Sequence, residues 1–282
     1  MSGKAVDGGG LVAFMHWLAL DGLSEPAGGW MHAIRRADYA GVQFIEPLDP
    51  GLVEQARAAS LRVCGSGRVN SPADAFRLAR EARDHGLECL TLHVGWGMEE
   101  DSAAVALIEA VLDASQHGGM PLFVETHRAT IFQDIWRSVD FVRRYPDLRF
   151  NADFSHWYTG LELVYGDFDE KLAFITPIIE RCRFMHGRIG DPGCIQVALT
   201  SIEAALGCPY VLHFREMWSA VFRTFAQRYG KSAEFPFAPE ILSSKIYYAQ
   251  TRGGCEESDR WEESLVITNL ARSWYAAVTA SI

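Results

Sequence analysis

The stretch FVETHR, residues 123–128, carries an apolar run straight into four polar side chains. Leu122, Phe123 and Val124 read as a short buried strand. Glu125, Thr126, His127 and Arg128 stand where that strand opens onto a site. A carboxylate so placed is tolerated only when something pairs with it or binds it, because an isolated buried charge is costly. Three further runs end the same way: NADFSH at 151–156, FMHGR at 184–188 and FAPE at 237–240. The expectation is that these four strand ends converge on one divalent cation.

Working outward, the same apolar runs recur along the whole chain. LVAFMHW (11–17), GVQFIEP (41–47), LRVCGSG (61–67) and LECLTLHVG (87–95) precede PLFVET (121–126), and LRFNADF (148–154), RFMHGR (183–188) and EFPFAPE (234–240) follow it. Helical periodicity fills the gaps at 28–40, 51–60, 102–117, 131–145, 216–229 and 259–278, with a further helix near 170–181 bent by Pro177. The best-punctuated helix has Ser71 as N-cap and Pro72 in its first turn, and stops at Gly86. Eight strands alternating with helices predict parallel βα units, hence an α/β fold of one (β/α)8 barrel over 11–282. An open doubly wound sheet is the alternative, but no GxGxxG follows the first strand. Residues 1–10 read as a flexible tail. The runs 189–214 and 241–257 read as long loops after strands seven and eight, covering the site, with Gly190, Gly193, Gly253 and Gly254 as candidate hinges or ordinary loop glycines.

A formal charge of −10 argues against nucleic acid or an anionic membrane as partner. Six cysteines without a CxxC pair suit reduced thiols in a cytoplasmic protein better than a disulfide framework. The apolar run 11–20 is too short to span a bilayer and contains His16.

Side chains alternate along a strand, so Asn151 and Asp153 share one face, as do His186 and Arg188. With Glu125, Asp153 and Glu240 as oxygen donors and His186 as a nitrogen donor, the set suits Mn2+, Mg2+ or Co2+, with Zn2+ or Fe2+ possible. Each has a plainer reading: Glu125 paired with Arg128, Asp153 capping the turn into SHWY, His186 as a satisfied core histidine. His156, Arg188 and His93 are candidate substrate contacts, and Trp17 and Trp157 could stack on a sugar ring or simply pack. His127 and Glu46 end strands nearby.

Glu125, Asp153 with His156 three later, His186 and Glu240 together resemble the pattern of the xylose isomerase-like TIM-barrel superfamily. That group includes sugar isomerases, ketose 3-epimerases, dehydratases and endonuclease IV. ETHR, DFSHW and HGRIG followed by IQV are similar to its sugar phosphate isomerase or epimerase subgroup. The resemblance spans about residues 11–278. Endonuclease-type members carry a metal-binding histidine at the end of strand three, where this chain has Gly65, Ser66 and Gly67.

The resemblance implies a metal-dependent isomerase or epimerase of carbohydrate metabolism. Glu125 and Glu240 would move a proton next to a carbonyl through an enediolate. The same residues fit a dehydratase of a polyol or keto acid, with His156 or His93 as acid. A phosphodiesterase like endonuclease IV and a non-catalytic barrel are further, disfavoured readings. Either long loop could supply a homodimer contact.

Overall fold

The computed structural model describes residues 10–282; the expected tail, apart from Gly10, lies outside them. Eight parallel strands close into a barrel in sequence order: β1 (Gly10–His16), β2 (Gly41–Ile45), β3 (Arg62–Val69), β4 (Leu90–Val94), β5 (Leu122–Glu125), β6 (Phe150–Ala152), β7 (Cys182–Gly187) and β8 (Glu234–Pro239). β1 pairs with β8, for example Ala13 with Phe237, so the sheet has no free edge. Gly10 already pairs with Glu234 and belongs to β1.

Around the barrel lie α1 (Trp30–Arg36), α2 (Pro50–Ala58), α3 (Pro72–Asp84), α4 (Asp101–Gly118) and α5 (Ile135–Arg144). They are followed by α6 (Ser155–Gly160), α7 (Phe168–Phe174), α8 (Thr176–Ile179), α9 (Ile202–Leu206), α10 (Pro209–Tyr229) and α11 (Arg260–Ala280). α3 starts as expected, with the Asp74 carboxylate accepting the Ser71 backbone N–H at 2.8 Å. No helix among the described residues is long and apolar enough to cross a membrane.

Three expectations about connections are corrected. The helix expected from 216 begins at Pro209, because proline at the first helical position loses no hydrogen bond there. With α9 also formed, the run 189–214 is only partly a loop. The helix expected at 170–181 is two pieces, α7 and α8, with Pro177 in the first turn of the second. SHWY, expected as a turn, is the helix α6. Gly253 and Gly254 have φ of 60° and 84° and form the tight turn between two short strands, β9 (Thr251–Arg252) and β10 (Cys255–Glu256).

Inside the barrel the period of two turns each strand from apolar to polar on the way to its C-terminal end. Phe14, Cys64, Cys89, Phe184 and Ala238 form a buried apolar plug. Two residues further along the same faces come His16, Thr91, His186 and Glu240, all buried. The larger apolar core lies between sheet and helices, where Trp218 packs edge-on against Phe237 and Trp274. In a barrel this arrangement keeps the bottom dry and leaves the C-terminal end for chemistry.

Glu263, in the first turn of α11, is buried, and its carboxylate accepts from Ser258 Oγ. Burial pushes it up to about 7. The folded pKa lies above the unfolded one, so folding binds a proton. The contribution of this one group to stability is therefore greatest at low pH and is lost as pH rises through about 7, by about 3 kcal/mol in all. Glu263→Gln should flatten that slope. Thermal melts of variant and wild type between pH 5 and 8 would overlap if the assignment is wrong.

Candidate metal centre

Glu125, Asp153, His186 and Glu240 meet in one buried cluster: one ligand atom from each lies within 4.8 Å of all the others. Each leaves the top of its strand on the inward face, which is why four side chains distant in sequence come together. Glu125 is the hub. Its Oε2 lies 3.2 Å from His186 Nδ1 and 3.3 Å from His93 Nε2, and accepts the Asn151 side-chain amide at 3.0 Å. Arg128 points elsewhere, so the plainer reading of a Glu125–Arg128 pair does not hold.

Glu240 Oε2 lies 3.4 Å from the same His186 Nδ1, while its Oε1 is 3.5 Å from His16 Nε2. His186 Nε2 donates to Gln43 Oε1 at 2.9 Å, and Gln43 Nε2 donates to Thr91 Oγ1 at 3.0 Å. That chain aims Nδ1 at the carboxylates and makes it the ligating atom. Asp153 is held by Ser155, whose N–H and Oγ both donate to Oδ1. Thr126 Oγ1 receives the Asp153 backbone N–H at 2.9 Å, tying the tops of β5 and β6 together.

Arg188 takes a place nearer the cluster than a substrate contact. Its Nη2 donates to Asp153 Oδ2 and Glu240 Oε2, each at 2.5 Å, and its Nε to Ser155 Oγ. Its Nη1 is buried without a partner among the described residues. His156, 1% exposed, lies 3.4 Å from Asp153 Oδ2 and 3.2 Å from Arg188 Nη2. His93, His127 and His156 form a row of rings with centroids 4.0 and 3.7 Å apart.

Burial works to raise Glu125 and Glu240, but His186 and His93 for the first, and Arg188 and His186 for the second, hold both well below the usual carboxylate range. Burial outweighs Arg188 at Asp153 and lifts it to about 6, still ionised at neutral pH. Burial alone would depress His186, yet Glu240 and Glu125 hold it up at about 10. Burial takes His16 down to about 4 and His127 to about 3, and it also lowers His156, so these three are neutral.

These residues fit a divalent cation: three carboxylates and one oriented imidazole face each other, and Glu125 Oε1 is buried with no hydrogen-bond partner among the described residues. A ligating imidazole must give up its Nδ1 proton. Uptake of Mg2+ or Mn2+ at pH 7.5 should therefore release about one proton, read as a binding enthalpy that varies with the ionisation enthalpy of the buffer. An enthalpy independent of buffer would remove His186 from the ligand set.

Two expected substrate contacts lie elsewhere. Trp157 is fully buried and its Nε1 donates to Phe132 O at 2.9 Å, so its ring packs in the core and cannot stack on a sugar. Trp17 follows inward-facing His16 and so turns outward, with its ring 5.3 Å from Phe44, beside a cleft of about 630 Å³ shared with Trp30 and Leu52. Glu46 pairs with Arg77 of α3 at 2.6 Å and does not face the cluster. Gln43 and Asn151 carry no role in the sequence expectation, although an inward polar residue within each apolar run, GVQFI and FNADF, is the available signal.

No family model matches the chain, and no curated protein matches it. Among solved structures it is similar to a xylose isomerase-like TIM barrel protein from Mycobacterium smegmatis in complex with magnesium, at TM-score 0.59 and 14% identity over 97% of each chain. It is also similar to an L-ribulose 3-epimerase, at TM-score 0.55 and 12% identity over 96% of this chain and 94% of that one. The chain thus resembles the xylose isomerase-like TIM barrels in fold along almost its whole length.

Proposed function

We propose that this chain is a divalent-cation-dependent isomerase or epimerase of a sugar or sugar-like ketose. The observation that carries the reading is the convergence of Glu125 and Glu240 on one imidazole nitrogen, His186 Nδ1, at 3.2 and 3.4 Å inside a buried polar cluster. Two ionised carboxylates facing one small volume can take a proton from one side of a carbon and return it from the other. Returned to the same carbon it gives an epimer, and returned to the neighbouring carbon it gives an isomer. A divalent cation held by Glu125, Asp153, His186 and Glu240 supplies the Lewis acidity that lowers the cost of negative charge on the adjacent oxygen. The magnesium complex of the structurally similar mycobacterial protein supports that choice of ion class.

Within the chain, Gln43 fixes the His186 ring, Asn151 fixes Glu125, and Arg188 with Ser155 fixes Asp153. His156 and His127, kept neutral, can offer or accept hydrogen bonds from substrate hydroxyls without competing as bases at neutral pH. A dehydratase would need an acid to protonate the departing hydroxyl: His156, buried and neutral, is poorly suited to it, so that role would fall to His93, 3.3 Å from Glu125 Oε2. The test is incubation of the Mn2+-loaded protein with a panel of ketoses in deuterated water. Deuterium at carbon in a product of otherwise unchanged composition supports the reading. Loss of water from the product, or no label with any member, counts against it.

A further inference from the structure

The four-residue cluster is shut off from solvent. Glu125 and Asp153 are fully buried, His186, Arg188 and His156 are 1% exposed, and Glu240 is 6% exposed. One ligand atom from each of the three acids and the imidazole lies within 4.8 Å of the others, which suits a cation but leaves no space for a sugar carbon between Glu125 and Glu240. Something above them has to move before a substrate can reach them.

The segment 243–256, after β8, stands over Arg188. Its Tyr248 ring covers that guanidinium, with Cζ 4.5 Å from the ring centroid, and meets Arg128 on the rim at 5.1 Å. The base of this strap is fixed. Gln196 accepts the Leu242 backbone N–H at 2.8 Å and donates to the Leu242 carbonyl at 2.9 Å. Glu256 ties the two legs together, accepting from Ser244 N–H and Oγ and from Arg260 Nε, and buried Arg260 also donates to Ala19 O and Asp21 O. Between the legs, residues 245–247 and 250–255 are exposed. Among the described residues, the polar ties of that stretch to the body of the barrel are the exposed Lys245–Asp21 pair, 3.7 Å apart, and the two arginines at Tyr248. Exposed ion pairs and cation–π contacts are weak beside charge-assisted hydrogen bonds, so the middle of the strap lifts at lower cost than its base.

We propose that the strap 243–256 is a gate: its middle lifts about the base at Glu256, carrying Tyr248 off Arg188 to admit cation and substrate, and settles back to keep water from the reacting carbon. This rests on the reading of the cluster as a cation-dependent reaction site and names how that site opens.

The test reads access and not turnover. Wild type, Tyr248→Ala and Tyr248→Phe are treated with diethyl pyrocarbonate, which acylates imidazole, and the rate at buried His156 is followed by peptide mass spectrometry against exposed His32 and His117. The expected result is acylation of His156 at least tenfold faster in Tyr248→Ala, with wild-type rates in Tyr248→Phe, which keeps the ring, and at both reference histidines. Equal rates at His156 in wild type and Tyr248→Ala overturn the proposal and place the entrance beside His93, whose side chain is 28% exposed. Stopped-flow mixing with Mn2+ separates a gate from a support for Arg188. A gate quickens both entry and chelator-driven loss of the ion in Tyr248→Ala, with its Kd unchanged. Faster loss with unchanged entry assigns Tyr248 to holding Arg188 in place and overturns the gate. A protein that binds no Mn2+ removes the cation reading, and the His156 rates then decide the gate by themselves. Tyr248 is only half-buried, so its variants should fold, and circular dichroism checks this.

Discussion

Glu125→Gln and Glu240→Gln should each lower proton exchange at the substrate carbon by about 10²–10⁴-fold while the barrel stays folded. Glutamine keeps the shape of glutamate but cannot accept a proton, so the change removes the chemistry and little of the packing. At Glu125 the Asn151 amide, which donates to Oε2 at 3.0 Å, can still donate to a glutamine oxygen. His93 and His186 lose the carboxylate that faces them, and the pull that holds His186 at about 10 weakens. Metal content has to be measured alongside. A variant that keeps its ion and its melting temperature but no longer exchanges identifies Glu125 as a proton carrier, whereas one that loses the ion identifies it as a ligand first. Wild-type exchange in both variants would remove the two carboxylates from the mechanism.

Stripping the cation with a chelator should abolish exchange, and adding back Mn2+, Mg2+ or Co2+ should restore it. Glu125, Asp153 and Glu240 are all at most 6% exposed, and without a divalent ion they are offset by Arg188, His186 and His93. Activity therefore depends on the ion, and stability should as well. An ion present at 100 times its Kd contributes about 2.7 kcal/mol, and a chain of this size shifts by roughly 2–4 °C in Tm for each kcal/mol. A chelated protein that exchanges as fast as the loaded one, or melts at the same temperature, would argue that the carboxylate cluster does not hold a cation.

The tops of β5 to β8 were legible because a single observation repeats there: an apolar run of period two ends in an acid or a histidine. Gln43 was harder to see. It lies on β2, two strands from β8 and three from β5, and its role exists only because His186, 143 residues later, turns its Nε2 toward it. Arg188 was placed on the right face of β7, but its pairing with both Asp153 and Glu240 depends on how three neighbouring strands are staggered, which no local pattern records. The two tryptophans failed for a related reason. An aromatic ring after a strand packs equally well into the helical layer or over the mouth, and the direction is decided by the one residue at which the strand ends.

The order of the eight strands, and the four side chains that cluster at the barrel top, follow from the sequence alone, because backbone period and burial act over a few residues. Which charges neutralise which, and which imidazole nitrogen faces the carboxylates, were decided only by closure of the barrel. Closure brings β1 against β8 and sets residues more than 200 positions apart within a few ångströms, as at His16 and Glu240. Electrostatic energy falls off with distance in space and is indifferent to distance along the chain.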